Sequence, residues 1–293
     1  MSPFVVSIVL VSTVMHAGWN LVARGQRNEI PFFGRMILVI AVVGLVPAGV
    51  SELIARSLTP TAWVCLAGSG LSCGVYFFCL ARAYGSSDFT VVYPVARAVP
   101  VILIGLGDVL RGNPLTPPGW AGMLMVVAGC LLCPLHSFRD LSLRRYLHRS
   151  IFYILLTALG TVGYTLCDKV AAETVAQSPA TAARYCYFFF VGTLACYAAL
   201  VRLFCTGKER SGRVGRWPPV LAAVLNYGAY SLVLWAYQMT ARAGYIVAFR
   251  QFSIVIGVVL AFAMFRERGR AVRLVGASLT TAGLVVIALW GGQ

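Results

Sequence analysis

Apolar residues run along this chain in ten long stretches, each interrupted by a short polar or charged connection. They cover residues 4 to 23, 30 to 51, 61 to 81, 89 to 110, 117 to 135, 151 to 168, 180 to 201, 217 to 239, 244 to 265 and 272 to 290. Within a stretch the apolar positions are near-continuous, as expected for a helix that meets hydrocarbon on some faces and other helices on the rest. About 20 such residues cross a bilayer core. The pattern predicts ten membrane-spanning helices and no separate soluble domain.

Composition agrees: 59% of residues are hydrophobic and 11% charged, against about 25% charged in a soluble domain. The first stretch lacks the basic lead and small-residue cleavage site of a signal peptide and carries His16, Trp19 and Asn20, so it reads as a retained helix. The nine cysteines lie in or beside apolar stretches and read as small apolar filler. Cys130 and Cys133 have no second pair or histidine near them in sequence, and neither a metal site nor a cofactor is expected.

The formal charge of +15 raises the question of a polyanionic partner. Of 24 basic residues, sixteen fall in the odd-numbered connections, four inside stretches (Arg35, Arg97, Arg184, Arg250) and four on the other side (Arg56, Arg111, Lys169, Arg242). That asymmetry is the positive-inside signature, which makes the basic face cytoplasmic and puts both termini outside. The charge reports orientation in a lipid bilayer; nucleic acid is not an expected partner.

The two halves repeat. HAGWNLVAR (16–24) lies over TVGYTLCDK (161–169), FFGRM (32–36) over TAARY (181–185), and VARAVPV (95–101) over AFRQFSI (248–254), so that Arg35 matches Arg184 and Arg97 matches Arg250. After a one-residue shift Gly122 and Gly129 match Gly276 and Gly283. Five stretches per repeat is an odd number, so the second repeat enters the membrane from the opposite side. The uncharged connection GNPLTPPGW (112–120) set against RERGRAVR (266–273), with four arginines, fits that inversion. The expected organisation is a first repeat over 1–135, a basic connection over 136–150 and a second repeat over 151–293.

Two five-helix repeats, a YPVAR stretch followed by Pro100, a glycine-rich fifth span and the closing FRQFSIVIGVVLAFAMFRERGRAVRLVGASLTTAGLVVI resemble the EamA-type drug/metabolite transporter superfamily over essentially the whole chain. HAGWN is similar to a subgroup associated with phosphonate utilisation. The family's glycine-glutamate pair after the fourth span is represented by Gly112-Asn113, with Glu267 in the second half. The resemblance implies an all-α integral membrane protein of ten helices, placed in a bacterial inner membrane, that exports a small molecule.

A charge in mid-bilayer is unfavourable by roughly 2.5 to 3.5 kcal/mol even on insertion scales. Arg97 and Arg250 therefore bond carbonyls or carboxylates, or they meet at the midplane where inverted-repeat transporters bind substrate. Few acids lie in the spans, and a guanidinium grips a carboxylate or phosphonate through paired hydrogen bonds, which makes a metabolite with an anionic group the expected substrate. Pro94 and Pro100 free carbonyls that a cavity wall tolerates. Tyr76, Tyr93, Tyr230, Trp235, Gln251, Trp19 and Asn20 complete the expected binding set, with Tyr84 and Tyr237 on the same spans. Arg35 and Arg184 sit shallowly enough to snorkel. His16, with Asp168 and Lys169, is a candidate coupling or gating group, protons being the candidate coupling ion. Cationic or neutral drug-like substrates, or a receptor or channel, remain open alternatives. No paired carboxylates or nucleophile and base suggest an enzyme, and no nucleotide-binding loop is present.

Overall fold

The computed structural model describes the chain except residues 25, 27, 87–88, 134, 136, 138–150, 266–269 and 292–293; side chains at 24, 84–86, 89–95, 260–265 and 270 also lie outside the description. The expected basic connection 136–150, Glu267 and the side chains of Tyr84, Tyr93 and Pro94 therefore fall outside it.

Among the described residues the regular structure is all helix, with no strand. The helices are α1 (Pro3–Arg24), α2 (Glu29–Val43), α3 (Leu45–Ala55), α4 (Pro60–Ser86), α5 (Phe89–Leu110), α6 (Pro117–Leu132), α7 (Ile151–Thr174), α8 (Pro179–Phe204), α9 (Gly207–Arg210), α10 (Trp217–Gln238), α11 (Ala243–Arg250), α12 (Phe252–Phe265) and α13 (Arg270–Trp290). Every expected apolar stretch is helical, two of them as broken helices. Of the described helices, α1, α4, α7, α8, α10 and α13 are long and apolar enough by themselves to cross a membrane, and the bent pair α2 and α3 makes up to seven; α6 is a shorter apolar helix. The sixth expected stretch ends at 168, but α7 continues to Thr174 and leaves Asp168 and Lys169 buried inside the bundle. Their hydrogen bonds to other helices compensate the polarity that marked an end in the sequence.

Helix starts follow local chemistry. Thr116 and Ser178 each precede a proline, and their side chains accept the backbone N–H of Gly119 (3.1 Å) and Ala180 (3.2 Å), so proline occupies a position whose own N–H would be unpaired. The 50° bend between α2 and α3 falls at Gly44. Pro47 cannot donate to the Val43 carbonyl, and Gly44 has no side chain where the Tyr187 ring packs. The Tyr187 hydroxyl donates to the Ala41 carbonyl at 3.0 Å.

Inside the helices, hydroxyls are largely returned to their own backbone: Thr13 to Val9, Thr157 to Tyr153, Thr193 to Phe189 and Thr280 to Gly276. This leaves few polar atoms to offer lipid. The outward faces are apolar, with Val43, Val46, Ile54, Val64 and Leu110 all strongly exposed, an apolar belt of the kind a membrane covers.

Small residues bring helices close. Glycines of α6 and α13 cross reciprocally: a Cβ on Gly122 would stand 2.7 Å from the Gly283 carbonyl oxygen, one on Gly283 2.5 Å from that of Gly122, and one on Gly129 2.6 Å from that of Gly276. Elsewhere α4 packs on α7 as α1 packs on α10, and α5 packs on α7 as α12 packs on α1. Arg35 donates from α2 to the Val214 carbonyl (2.8 Å) in the connection before α10. Arg184 of α8 reaches Ser51 (3.1 Å), Ser57 (2.9 Å) and Glu52 (3.2 Å) at the end of α3.

Candidate functional site

A cavity with a polar lining lies where α1, α4, α5, α7 and the α11–α12 break converge. It measures about 40 Å³ and is lined by His16, Asn20, Tyr76, Leu80, Ala96, Arg97, Pro100, Thr157, Thr161, Tyr164, Val247, Arg250 and Gln251. At roughly 10 to 15 Å³ per water centre it has room for about three waters.

The break at its wall is a local solution to a buried irregular turn. The N–H of Gln251 bonds Ala248 at 3.0 Å in a tightened turn, and side chains take up the carbonyls: Gln251 Nε2 donates to Val247 (3.0 Å) and Ser253 Oγ to Arg250 (2.9 Å). Arg250 thus closes α11 with its guanidinium in the bundle interior. The matching Arg97 is carried on α5, which runs unbroken from Phe89 to Leu110.

His16 sits between the two arginines. Its Nε2 lies 2.6 Å from a terminal nitrogen of Arg97, its Nδ1 accepts from Trp19 Nε1 at 3.0 Å, and Arg250 approaches Nδ1 at 3.4 Å. Guanidinium and indole nitrogens only donate, and a neutral imidazole has one acceptor nitrogen. Three donors therefore face a group that can accept at one atom. Arg250 Nε and Gln251 Oε1 are buried with no hydrogen-bond partner, and among the described residues no carboxylate pairs with Arg250 in an ion pair. Trp19 is itself fixed against Phe33 and Phe77, its ring centroid 6.5 and 6.3 Å from theirs.

Behind this cavity lies a buried carboxylate. Asp168 accepts hydroxyls from Ser69 (2.5 Å), Tyr185 (2.8 Å) and Tyr230, so α4, α8 and α10 are all tied to α7. The Tyr230 ring lies 5.6 Å below the Arg250 guanidinium, a cation–π distance, and packs edge-on to Tyr164 at 5.7 Å. Asp168 and Arg250 are thus linked through one tyrosine, its hydroxyl on the acid and its face under the cation.

At the arginine-poor end of the bundle, Lys169 donates to the Tyr237 carbonyl at 2.9 Å and pairs with Glu173 at 3.0 Å. Glu173 also binds Arg111. Asp108, fully buried, accepts the N–H groups of Ala243 (3.1 Å) and Gly244 (2.7 Å) at the start of α11.

Of the residues singled out in the sequence, Arg97, Arg250, His16, Asn20, Tyr76 and Gln251 line the cavity, and Trp19 and Tyr230 form the layer behind it. Trp235 lies apart, against the exposed Phe4 ring at 5.5 Å. Lys169 belongs to the ionic group at the arginine-poor end, one turn beyond the Asp168 cage. Thr157, Thr161 and Tyr164 on the wall, and the Ser69 and Tyr185 hydroxyls, were not singled out. Of these only Thr161 and Tyr164 carried a signal, as the positions matching His16 and Trp19.

Apolar helices of spanning length and an apolar outer belt define a multi-pass membrane protein. Residues 3–133 match the EamA-like transporter family, a likeness over less than half of the chain. No curated protein matches the chain. Of the solved structures that resemble it, one titled "Crystal structure of protein" superposes over 100% of both chains with a TM-score of 0.70 at 17% identity, a likeness of fold alone.

Proposed function

We propose that the protein is a secondary transporter of ten spans, built as two inverted repeats (1–135 and 151–293, joined by 136–150), which moves a small polar metabolite bearing an anionic group by alternating access in a bacterial inner membrane. The inverted reading is supported by reciprocity. Matched glycines cross as Gly122 with Gly283 and Gly129 with Gly276, the interchange a two-fold axis requires. The matched pairs Arg97 and Arg250, and His16 and Thr161, face one cavity.

The observation that carries the substrate reading is the donor excess around His16. Among the described residues Arg250 Nε has no hydrogen-bond partner and no carboxylate pairs with Arg250, and an anionic oxygen is the acceptor that a guanidinium binds best. Gln251 Oε1, fixed by the bond its own amide makes to Val247, awaits a donor from the same ligand. Tyr76 and Tyr164 face its apolar body. A metabolite needs a pocket of roughly 300 Å³ or more, so the contracted cavity widens when substrate enters. In this proposal protons are the coupling ion and His16 the coupling group, because a proton on His16 and an anion on the arginines offset each other's charge and so move together.

The test is transport of small carboxylates and phosphonates into or out of vesicles holding the purified protein, with and without an imposed pH gradient. Uptake of an anion that Arg97→Gln and Arg250→Gln abolish, and that His16→Gln uncouples from the gradient, is the expected result. Transport confined to amines or neutral compounds and indifferent to both arginine substitutions overturns the substrate assignment.

A further inference from the structure

We propose that Asp108, with Arg111, Lys169 and Glu173, is the latch that closes the transport path at the outer, arginine-poor face, and that the structure shows the protein with this latch shut. The inference rests on the alternating-access reading above.

The helix that ends in Arg250 begins without a cap of its own. Residue 242 precedes α11 with no side-chain cap bond, and Arg242 instead reaches the Gly291 carbonyl at 2.6 Å. The first N–H groups of a helix have no partner within it. Those of Ala243 and Gly244 are met from another helix, by the two carboxylate oxygens of Asp108 on α5. A negative charge at a helix N-terminus is favourable, and this one is completely buried.

Gly244 allows the approach. A Cβ there would stand 3.1 Å from the Gly105 Cα and 3.2 Å from Asp108 Oδ2. The helix bearing Arg97 and the half-helix bearing Arg250 are thereby pinned together directly beyond the cavity. A second layer holds the pin. Arg111 lies 3.6 Å from Asp108 and also binds Glu173 on α7, and Glu173 pairs with Lys169, which donates to the last turn of α10. Helices α5, α7, α10 and α11 are joined at one level by a chain of alternating charge.

Opening toward the outside requires α11 to part from α5, which breaks both Asp108 bonds and returns the Ala243 and Gly244 N–H groups to water. The latch is one-sided. In the repeat match Asp108 aligns with Ala261, or with Phe262 after the one-residue shift, and neither is a carboxylate. The two halves therefore differ at this position, and the shut latch favours the outward-closed state.

Spin labels at Ala176→Cys and Ala241→Cys, both exposed in the outer connections, report the opening in full-length protein whose nine native cysteines have been replaced. The parent should give one short distance. Asp108→Asn and Glu173→Gln should each add a longer one, the open-to-closed ratio rising about tenfold for a weakened charge-assisted hydrogen bond. Glu173 is partly exposed, so Glu173→Gln decides the matter if the Asn variant does not fold. Unchanged distances in a folded variant overturn the latch. Thermal stabilisation of the parent by small anions is read separately: a longer distance in the variants without anion stabilisation upholds the latch and removes the substrate reading, and anion stabilisation with unchanged distances removes the latch alone.

Discussion

The crossing of α6 and α13 makes a prediction that can be worked from distances. Replacing Gly129 with Ala puts a Cβ 2.6 Å from the Gly276 carbonyl oxygen, where ordinary contact begins near 3.4 Å. The backbones must separate by about 0.8 Å, the difference between those two distances. A gap of 0.5 to 1 Å forfeits roughly a quarter to a half of each dispersion contact across it, and overpacking of this kind typically destabilises by about 1 to 3 kcal/mol. Alanine returns up to about 1 kcal/mol of helix propensity over glycine. The net effect of Gly129→Ala is therefore a loss of about 0 to 3 kcal/mol, while Gly257→Ala in α12, with nothing among the described residues within 4 Å of its added carbon, keeps the whole gain. Thermal unfolding of the two variants in detergent should move in opposite directions. Gly122→Ala and Gly283→Ala face each other, so their double variant should be less destabilised than the sum of the singles, the first having already opened the crossing. Equal stabilisation by Gly129→Ala and Gly257→Ala would refute the close-packed crossing and with it the main support for inverted symmetry.

Two further outcomes follow from the ends of the bundle. Arg184 satisfies Ser51, Ser57 and Glu52 near the α2–α3 bend, whereas exposed Arg35 makes a single bond to a carbonyl; Arg184→Ala should lower the unfolding temperature clearly and Arg35→Ala barely. In the basic connection before α10, Glu209 accepts the N–H and hydroxyl of Thr206 and pairs with Arg82 at 2.5 Å. These contacts, the Thr206 backbone bond first, hold its carboxyl below the usual carboxylate range. A lowered pKa contributes stability that is present above the unfolded value near 4.3 and is lost as pH falls through the folded one. The protection factor of the Thr206 amide, its exchange relative to the unstructured rate at the same pH, should therefore fall in acid, and Glu209→Gln should remove that dependence; an unchanged acid response in the variant would sink the assignment.

The helices were legible because a membrane demands a continuous apolar run and no ordered alternative satisfies the backbone there. The breaks were less so. Pro47 alone signals the bend at Gly44, and nothing marks Arg250 as a helix end, because Gln251 and Ser253 repair that turn through side-chain bonds visible only in three dimensions. Arg97, Arg250 and His16 stood out as isolated polar groups in apolar stretches. Asp168 stood out too, but its partners, like those of Asp108, are backbone N–H groups or hydroxyls from distant helices, and such residues are common enough in sequence to carry no signal. Trp235 shared a helix with Tyr230, yet its ring faces Phe4, a matter of helical phase that composition does not report.

The claim on which the rest depends is that the two arginines and His16 form an anion site. Thermal unfolding of the detergent-purified protein against a panel of small carboxylates, phosphonates, amines and neutral compounds tests it most directly. A ligand that binds only the folded protein at a hundredfold excess over its Kd adds about 2.7 kcal/mol. The account predicts stabilisation by an anion, lost in both Arg97→Gln and Arg250→Gln and retained in Trp235→Ala. Stabilisation by amines or neutral compounds alone, surviving both arginine substitutions, would contradict it.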